Sequence, residues 1–160
     1  MPDYQLKIDG EVDSPLSLSF EQLAALPESA QVRDVSRLDP KRQGDAIRLS
    51  ALLERARPKS SVRYLTLHAA RDDFHASIPL DAVREKAILI YSMAGQPLSE
   101  KAGGPVRFFI PDFAACHTAE IDECANVKFV DRIELTPGRG HDNRPHDADE
   151  HARLHERESR

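Results

Sequence analysis

One stretch, residues 89–111, constrains the fold of this chain more than any other. It reads LIYSMAGQPLSEKAGGPVRFFIP, in which an apolar run, a small-residue turn and a polar excursion lead to a double glycine and a second apolar run. Short apolar runs bounded by turn residues are typical of buried strands. The stretch therefore predicts two core strands, and Gly103 and Gly104 between them permit a close backbone approach or a positive φ.

Short strand and helix patterns fill the rest of residues 4–135. Residues 4–10 alternate apolar and polar side chains, which predicts a half-buried strand, and VRYLTLHAA and FHASIP predict a hairpin around residues 71–73. Two helices are predicted at LSALLERA and DAVREKA, with Ser50 and Asp81 as their N-caps. Because strands outnumber the short helices, we expect an α+β fold with a mixed β-sheet.

The overall charge and hydropathy exclude several classes of function. A net charge of -5 at pH 7 argues against a general affinity for nucleic acid or an anionic membrane. No apolar run approaches the roughly 20 residues that a membrane span needs. The N-terminus enters a strand pattern without the basic and apolar regions of a signal peptide. We therefore expect a cytoplasmic protein that contacts neither nucleic acid nor membrane.

The character of the chain changes near its end. Residues 137–160 are rich in histidine and charge and contain almost no large apolar side chains, with Leu154 as the exception. Such a segment cannot bury enough apolar surface to offset the entropy lost on ordering. We predict one domain over residues 1–136 and a disordered tail over residues 137–160.

Several segments, taken in order, resemble one known family. The first contains a strand that ends in glycine, then a proline, a serine-capped helix and a Leu-Pro stop. A polar loop then enters a leucine-rich helix, and a Gly-Gly-Pro-Val-Arg turn and an Asn-Val-Lys-Phe-Val strand follow later. The positions are Gly10, Pro15, Ser19, Leu26 and Pro27, then residues 32–56, 94–107 and 126–130. In this order and spacing, the chain resembles the molybdopterin-binding domain of the sulfite oxidase superfamily.

The resemblance implies a sulfite-oxidase-like fold and a molybdopterin cofactor that carries molybdenum. The implied reaction is oxygen-atom transfer at the metal, after which two electrons leave to a partner. It places Gly103, Gly104, Asn126 and Lys128 at the cofactor. A basic loop at Lys41 and Arg42 also suits a phosphate or sulfate, although an ordinary surface loop is the favoured explanation. Arg107 lies on a strand from which it could reach an anion or pair with a carboxylate.

The chain differs from this family at the position of the residue that ligates the metal. Relatives hold molybdenum with a cysteine thiolate whose position falls near residues 34–36, where this chain has no cysteine. Asp34 and Ser36 offer hard oxygen ligands instead, so both are candidates near the metal. An ordinary strand-to-loop junction, in which both side chains accept from nearby backbone donors, is the favoured alternative.

Two further groups are candidate site residues. His75 lies at a hairpin tip where the resemblance places substrate-facing residues, and it could shuttle a proton near neutral pH, although the turn needs no function to explain it. Cys116, His117 and Cys124 could hold a metal, but their spacing is not a standard zinc spacing. The two cysteines could instead form a reversible disulfide, or be two thiols in a surface loop.

Two functional hypotheses follow. The first is a molybdenum-dependent oxidoreductase that acts on a small oxyanion or passes electrons to a partner. The second is a catalytically inactive module on the same fold, with an empty or anion-holding pocket and a redox or metal loop at Cys116 and Cys124. The missing thiolate is the feature that separates the two, because fold alone does not fix function.

Overall fold

The computed structural model describes residues 5–40, 42–111 and 126–144. These residues form two sheets and three short α-helices. The strands are β1 Leu6–Gly10, β2 Leu16–Leu18, β3 Gln31–Val32, β4 Asp45–Arg48, β5 Tyr64–Ala69, β6 Phe74–Pro79, β7 Ile88–Met93, β8 Gln96–Pro97, β9 Arg107–Phe109 and β10 Arg132–Thr136. The helices are α1 Phe20–Ala24, α2 Leu49–Ala56 and α3 Leu80–Val83.

The first sheet has the strand order β2-β1-β10-β5-β6, and the second has the order β3-β4-β7-β8 with β9 paired to β7. Strands β1 and β10 run parallel, whereas the other described pairings are antiparallel. The prediction of an α+β fold with a mixed sheet and short helices is therefore confirmed. The predicted hairpin is also present, since β5 and β6 pair from Tyr64 opposite Pro79 to Ala69 opposite Phe74.

The main core lies between the two sheets, and a second, smaller cluster covers the other face of the second sheet. Leu67 and Ile133 reach the main core from the first sheet, and Leu89 reaches it from the second. The smaller cluster includes Ile90 on β7 and Phe109 on β9. Strand β7 is thus buried on both faces, which explains its nearly continuous apolar sequence, whereas the first sheet is apolar on one face only.

The predicted helix caps at Ser50 and Asp81 are wrong. Helices α2 and α3 each follow directly from a strand, so each begins one residue before the predicted cap and leaves these polar residues in its first turn. The first amide of α2, at Leu49, donates to the carbonyl oxygen of Ala87 at 3.1 Å, and that of α3 donates to the carbonyl oxygen of Arg63 at 2.9 Å. These backbone acceptors replace the side-chain caps.

Residues 140–144, here called the strap, run along the edge strand β6. The Gly140 amide donates to Ser77 Oγ at 2.8 Å, and the Asn143 amide donates to the carbonyl oxygen of His75 at 2.9 Å. The strap therefore satisfies polar groups on an edge that would otherwise be open to other strands. The predicted division into a domain and a disordered tail stays a prediction, because residues 145–160 lie outside the described part of the chain. In that part no helix is long and apolar enough to cross a membrane.

Candidate functional site

The turn that follows β3 contains the two candidates for the metal position. Asp34 has a positive φ of 62°, and its carboxylate accepts hydrogen bonds from both the amide (3.2 Å) and the hydroxyl of Ser36. The Asp34 amide donates to Asp45 Oδ1 at 2.9 Å, and Arg37 lies 3.8 Å from the Asp34 carboxylate. These are the contacts of a hydrogen-bonded strand-to-loop junction. The Asp34 carboxylate accepts its hydrogen bonds from a residue of the same turn.

A pair of arginines lies on the outer face of the second sheet. Arg107 on β9 is opposite Ile90 in the register, so its side chain is on the face that carries the smaller apolar cluster. Arg42 leaves the loop after β3 and places its guanidinium carbon 5.3 Å from the centroid of the Phe109 ring on the same face.

Neither arginine has its charge neutralised by a residue that the structure describes. The Nε atoms of Arg42 and Arg107 are buried and have no hydrogen-bond partner in the described part of the chain. Among the described residues, no carboxylate forms an ion pair with either guanidinium, and Arg107 donates only to the carbonyl oxygen of Ala102, at 3.4 Å. Burial, followed by the neighbouring positive charge of Arg42, lowers the pKa of Arg107. A buried donor left without an acceptor costs free energy, so both groups are disposed to receive an anion.

A third cation, Lys128, packs against Gly103 next to Arg107. The φ of Gly103 is +100°, and a Cβ at this position would lie 3.1 Å from Cγ of Lys128 and 3.2 Å from Cδ of Arg107. Both basic side chains therefore pack over the face that the glycine leaves bare. We call Arg42, Gly103, Arg107 and Lys128 the cationic pocket.

The other predicted cofactor residues hold the backbone of this pocket. A Cβ on Gly104 would lie 1.9 Å from the carbonyl oxygen of Leu98, so only glycine permits the close approach of the two backbones. Asn126 accepts a hydrogen bond from the Ile110 amide at 2.9 Å through Oδ1. This contact aligns residues 126–130 with β9 and thereby places Lys128 beside Gly103.

The remaining candidates lie elsewhere or outside the described residues. His75 contacts His68, Asp73 and His141 on the first sheet, and none of these belongs to the cationic pocket. Cys116, His117 and Cys124 lie outside the described residues. Within the described ranges, no three His, Cys, Asp or Glu side chains are arranged to hold a metal ion.

Comparison with known proteins identifies the family. Residues 45–143 match the oxidoreductase molybdopterin binding domain. The chain belongs to this family. An uncharacterized oxidoreductase of Bacillus subtilis (strain 168), YuiH, is 34% identical over 118 residues, which cover 69% of this chain and 58% of that protein. The chain thus spans little more than half of this relative.

The fold agrees with the family. The crystal structure of the sulfane dehydrogenase SoxCD from Paracoccus pantotrophus matches with a TM-score of 0.62 and 23% identity, covering 86% of this chain and 39% of that one. The predicted resemblance to the molybdopterin-binding domain of the sulfite oxidase superfamily is therefore confirmed. Membership favours the oxidoreductase hypothesis over the inactive module.

The family match covers most of the cationic pocket. Residues 45–143 include Gly103, Arg107 and Lys128, whereas Arg42 lies three residues before the match begins.

The proximity of Arg42 and Arg107 was not predicted from the sequence, in which the two residues lie in separate segments. The only signal was a basic residue near glycine in each segment. The partner of His75 was also not predicted, although the predicted hairpin sets His68 directly opposite.

Proposed function

We propose that this chain is the cofactor-binding domain of a molybdenum-dependent oxidoreductase, and that the cationic pocket binds the phosphate of molybdopterin. The observation that carries the proposal is the pair of buried Nε atoms on Arg42 and Arg107, which have no acceptor among the described residues. Two like charges that lie close together without a carboxylate are stabilised when a dianion binds between them.

Each member of the pocket has a distinct task. Arg107 presents a planar fork of N–H donors that suits two phosphate oxygens at once. Lys128 adds a point charge from the exposed rim, and Gly103, which has no Cβ, leaves room for the side chains of Lys128 and Arg107 to pack against it. Arg42, packed on Phe109, closes the pocket from the loop side.

The pocket fits the phosphate end of the cofactor better than the 34–36 turn fits its metal. When bound, the molybdenum centre supplies oxygen-atom transfer and the redox change, whereas the protein binds and orients the cofactor. The turn offers no thiolate, and the Asp34 carboxylate already accepts two hydrogen bonds from Ser36. We therefore propose that the described part of the chain retains the cofactor mainly through its anionic end.

The remaining parts of the function rest on the family alone. We propose a small oxyanion as substrate and an electron-transfer protein as partner, in the cytoplasm and without contact to nucleic acid or membrane. The net charge of -5 supports the last two points. This chain spans 58% of YuiH and 39% of the SoxCD chain.

The test measures cofactor content in protein produced by a host that makes molybdopterin. Molybdenum is read by elemental mass spectrometry, and pterin by fluorescence of its oxidised form after denaturation. We expect pterin in the wild type and a loss of about tenfold or more in Arg107→Gln, since one charge-assisted phosphate contact contributes about 1.5–3 kcal/mol.

Arg48→Gln is the matched control, because Arg48 is an exposed arginine at the end of β4, outside the pocket. It should keep the wild-type pterin content. Wild-type protein without pterin, or equal pterin in Arg107→Gln and wild type, would contradict the proposal.

A further inference from the structure

A chain of polar contacts crosses the face of the first sheet that lies opposite the main core. Arg132 on β10 connects Asp9 on β1, at 2.8 Å, to Glu134, at 3.5 Å. Glu134 Oε1 lies 3.0 Å from His68 Nε2, and His75 Nε2 lies 2.9 Å from Asp73 Oδ1. The two rings then meet through their remaining nitrogens, with 2.7 Å between the Nδ1 atoms. We call His68 and His75 the histidine pair.

The contacts of the histidine pair suggest how its protons are arranged. A carboxylate is an acceptor only, so Nε2 of each ring must carry a hydrogen to bond Glu134 or Asp73. Two neutral rings with hydrogen on Nε2 would direct two lone pairs at each other across 2.7 Å. A hydrogen bond at this distance requires one further proton, which makes three protons on the two rings and a single positive charge.

A metal ion between the rings fits this separation less well. Two imidazole nitrogens on one tetrahedral zinc ion, each about 2.0–2.1 Å from the metal, lie about 3.3 Å apart. The observed 2.7 Å is instead within the ordinary range for a hydrogen bond. The geometry points to a proton and not to a metal.

The strap forms hydrogen bonds with both the amide and the carbonyl group of His75. Asn143 Oδ1 accepts from the His75 amide at 2.8 Å, while the Asn143 amide donates to the His75 carbonyl oxygen. The ring of His141 stacks on that of His75, with 4.1 Å between centroids and 19° between planes. A movement of His75 therefore acts directly on the strap.

Charged groups surround the histidine pair from every neighbouring element. Two carboxylates lie next to the rings, and the more distant arginines belong to ion pairs with carboxylates. The groups are Glu134 and Arg132 on β10, Asp9 on β1, Asp73 in the turn before β6, and His141, Asp142 and Arg144 in the strap.

We propose that the histidine pair is a pH-sensitive clasp that keeps the strap docked while the two rings share one bridging proton. When the pH rises and this proton leaves, the facing lone pairs repel and His75 withdraws from His68. When the pH falls and a fourth proton binds, two N–H groups face each other with the same result. Docking of the strap over β6 is therefore strongest between these two limits.

The first measurement is an NMR titration of the full chain with ¹⁵N-labelled histidine. Among the seven histidines, the signals of His68 and His75 are identified with His68→Gln and His75→Gln, because each variant lacks the signals of one ring. We expect both rings of the pair to be protonated at Nε2 near neutral pH and to share one strongly deshielded Nδ1 proton. Two independent neutral rings at that pH, or displacement of the shared proton by equimolar Zn²⁺, would overturn the proposal.

The second measurement is hydrogen exchange of the amides that the strap contacts. Protection factors of the His75 and Ser77 amides should fall by about tenfold when the bridging proton is lost, because local opening governs their exchange. The Glu11 amide, which donates to the carbonyl oxygen of Leu135, is the internal control and should not change. Constant protection at His75 while the pair loses its proton would refute the clasp.

His141→Gln separates the histidine pair from the third ring. This variant removes the stacked ring of the strap but leaves the shared proton, so the same pH dependence of strap protection should remain. Loss of that dependence would show that His141 is the sensor. Should His68→Gln or His75→Gln fail to fold, the wild-type titration and exchange still decide the question.

Discussion

The ion pair between Asp142 and Arg144 makes a quantitative prediction about the acid stability of the strap. The side chains are 3% and 5% exposed, and Arg144 Nη2 lies 2.7 Å from Asp142 Oδ2. Burial alone would raise the pKa of Asp142, but the hydrogen bonds and charge of Arg144, with a bond from the Ser77 amide, lower it from 3.8 to about 2.

The magnitude follows from linkage between protonation and folding. Each pKa unit is worth about 1.36 kcal/mol, so a lowering from 3.8 to about 2 contributes about 2 kcal/mol. Because the folded pKa is the lower one, this contribution is complete above about pH 4 and is lost as the pH falls toward 2. Acid should therefore protonate Asp142 and weaken the docking of the strap on β6 before it affects the apolar core.

The perturbation is Asp142→Asn, which keeps the shape of the side chain but removes the negative charge from the buried ion pair with Arg144. We expect a loss of about 3 kcal/mol at pH 6, since breaking a buried pair costs about 3–5 kcal/mol. The difference between wild type and variant should shrink by about 2 kcal/mol between pH 4 and pH 2.

The assay is urea unfolding from pH 2 to pH 6, followed by far-UV circular dichroism because the chain has no tryptophan. Hydrogen exchange of the Ser77 amide reports whether the strap opens separately from the core. Asp13→Asn, which changes an exposed carboxylate far from the strap in the fold, is the control and should behave as wild type. Equal stability of Asp142→Asn and wild type at pH 6, with the same pH dependence, would refute the reasoning.

Two further predictions concern the core and one backbone contact. Tyr91→Phe should cost about 1–3 kcal/mol in urea unfolding, because the buried Tyr91 hydroxyl donates to Gln31 Oε1 at 2.8 Å and its loss leaves that acceptor unpaired; an unchanged midpoint would be inconsistent with the bond. Gly10→Ala should lower the thermal midpoint strongly, since its φ is +92° and the new Cβ would lie 2.3 Å from the carbonyl oxygen of Leu135. Gly138→Ala meets nothing within 4 Å and should be neutral, so equal effects of the two alanines would exclude the contact as the cause.

Local patterns in the sequence were sufficient for the elements that carry this fold. The apolar run at β7 predicted a buried strand, and the hairpin of β5 and β6 was predicted by two apolar runs around a polar turn. Ser19 was one of the expected caps for α1, and it forms a capping box with Gln22. The N-caps at Ser50 and Asp81 were wrong because a strand runs directly into each helix and its backbone neighbours satisfy the first amide.

The functional groups were harder to predict, because a site is made of side chains that are distant in sequence. Arg42 and Arg107 each suggested an anion, yet nothing in either segment shows that they share one face of a sheet. Asp34 and Ser36 had two interpretations, and the hydrogen bonds between them are those of the structural one. The family resemblance placed Gly103 and Lys128 at the cofactor, where the structure packs them together.

The sequence by itself determined which faces of each element are apolar, where the chain must turn, and to which family it belongs. These properties depend on residues within a few positions of one another, and burial of the apolar faces then restricts the fold to few arrangements. Only the tertiary structure decided which polar groups of distant segments meet. The predicted hairpin was sufficient to set His68 opposite His75, but no local pattern encodes the docking of the strap on β6 or the path of the loop that sets Arg42 beside Arg107.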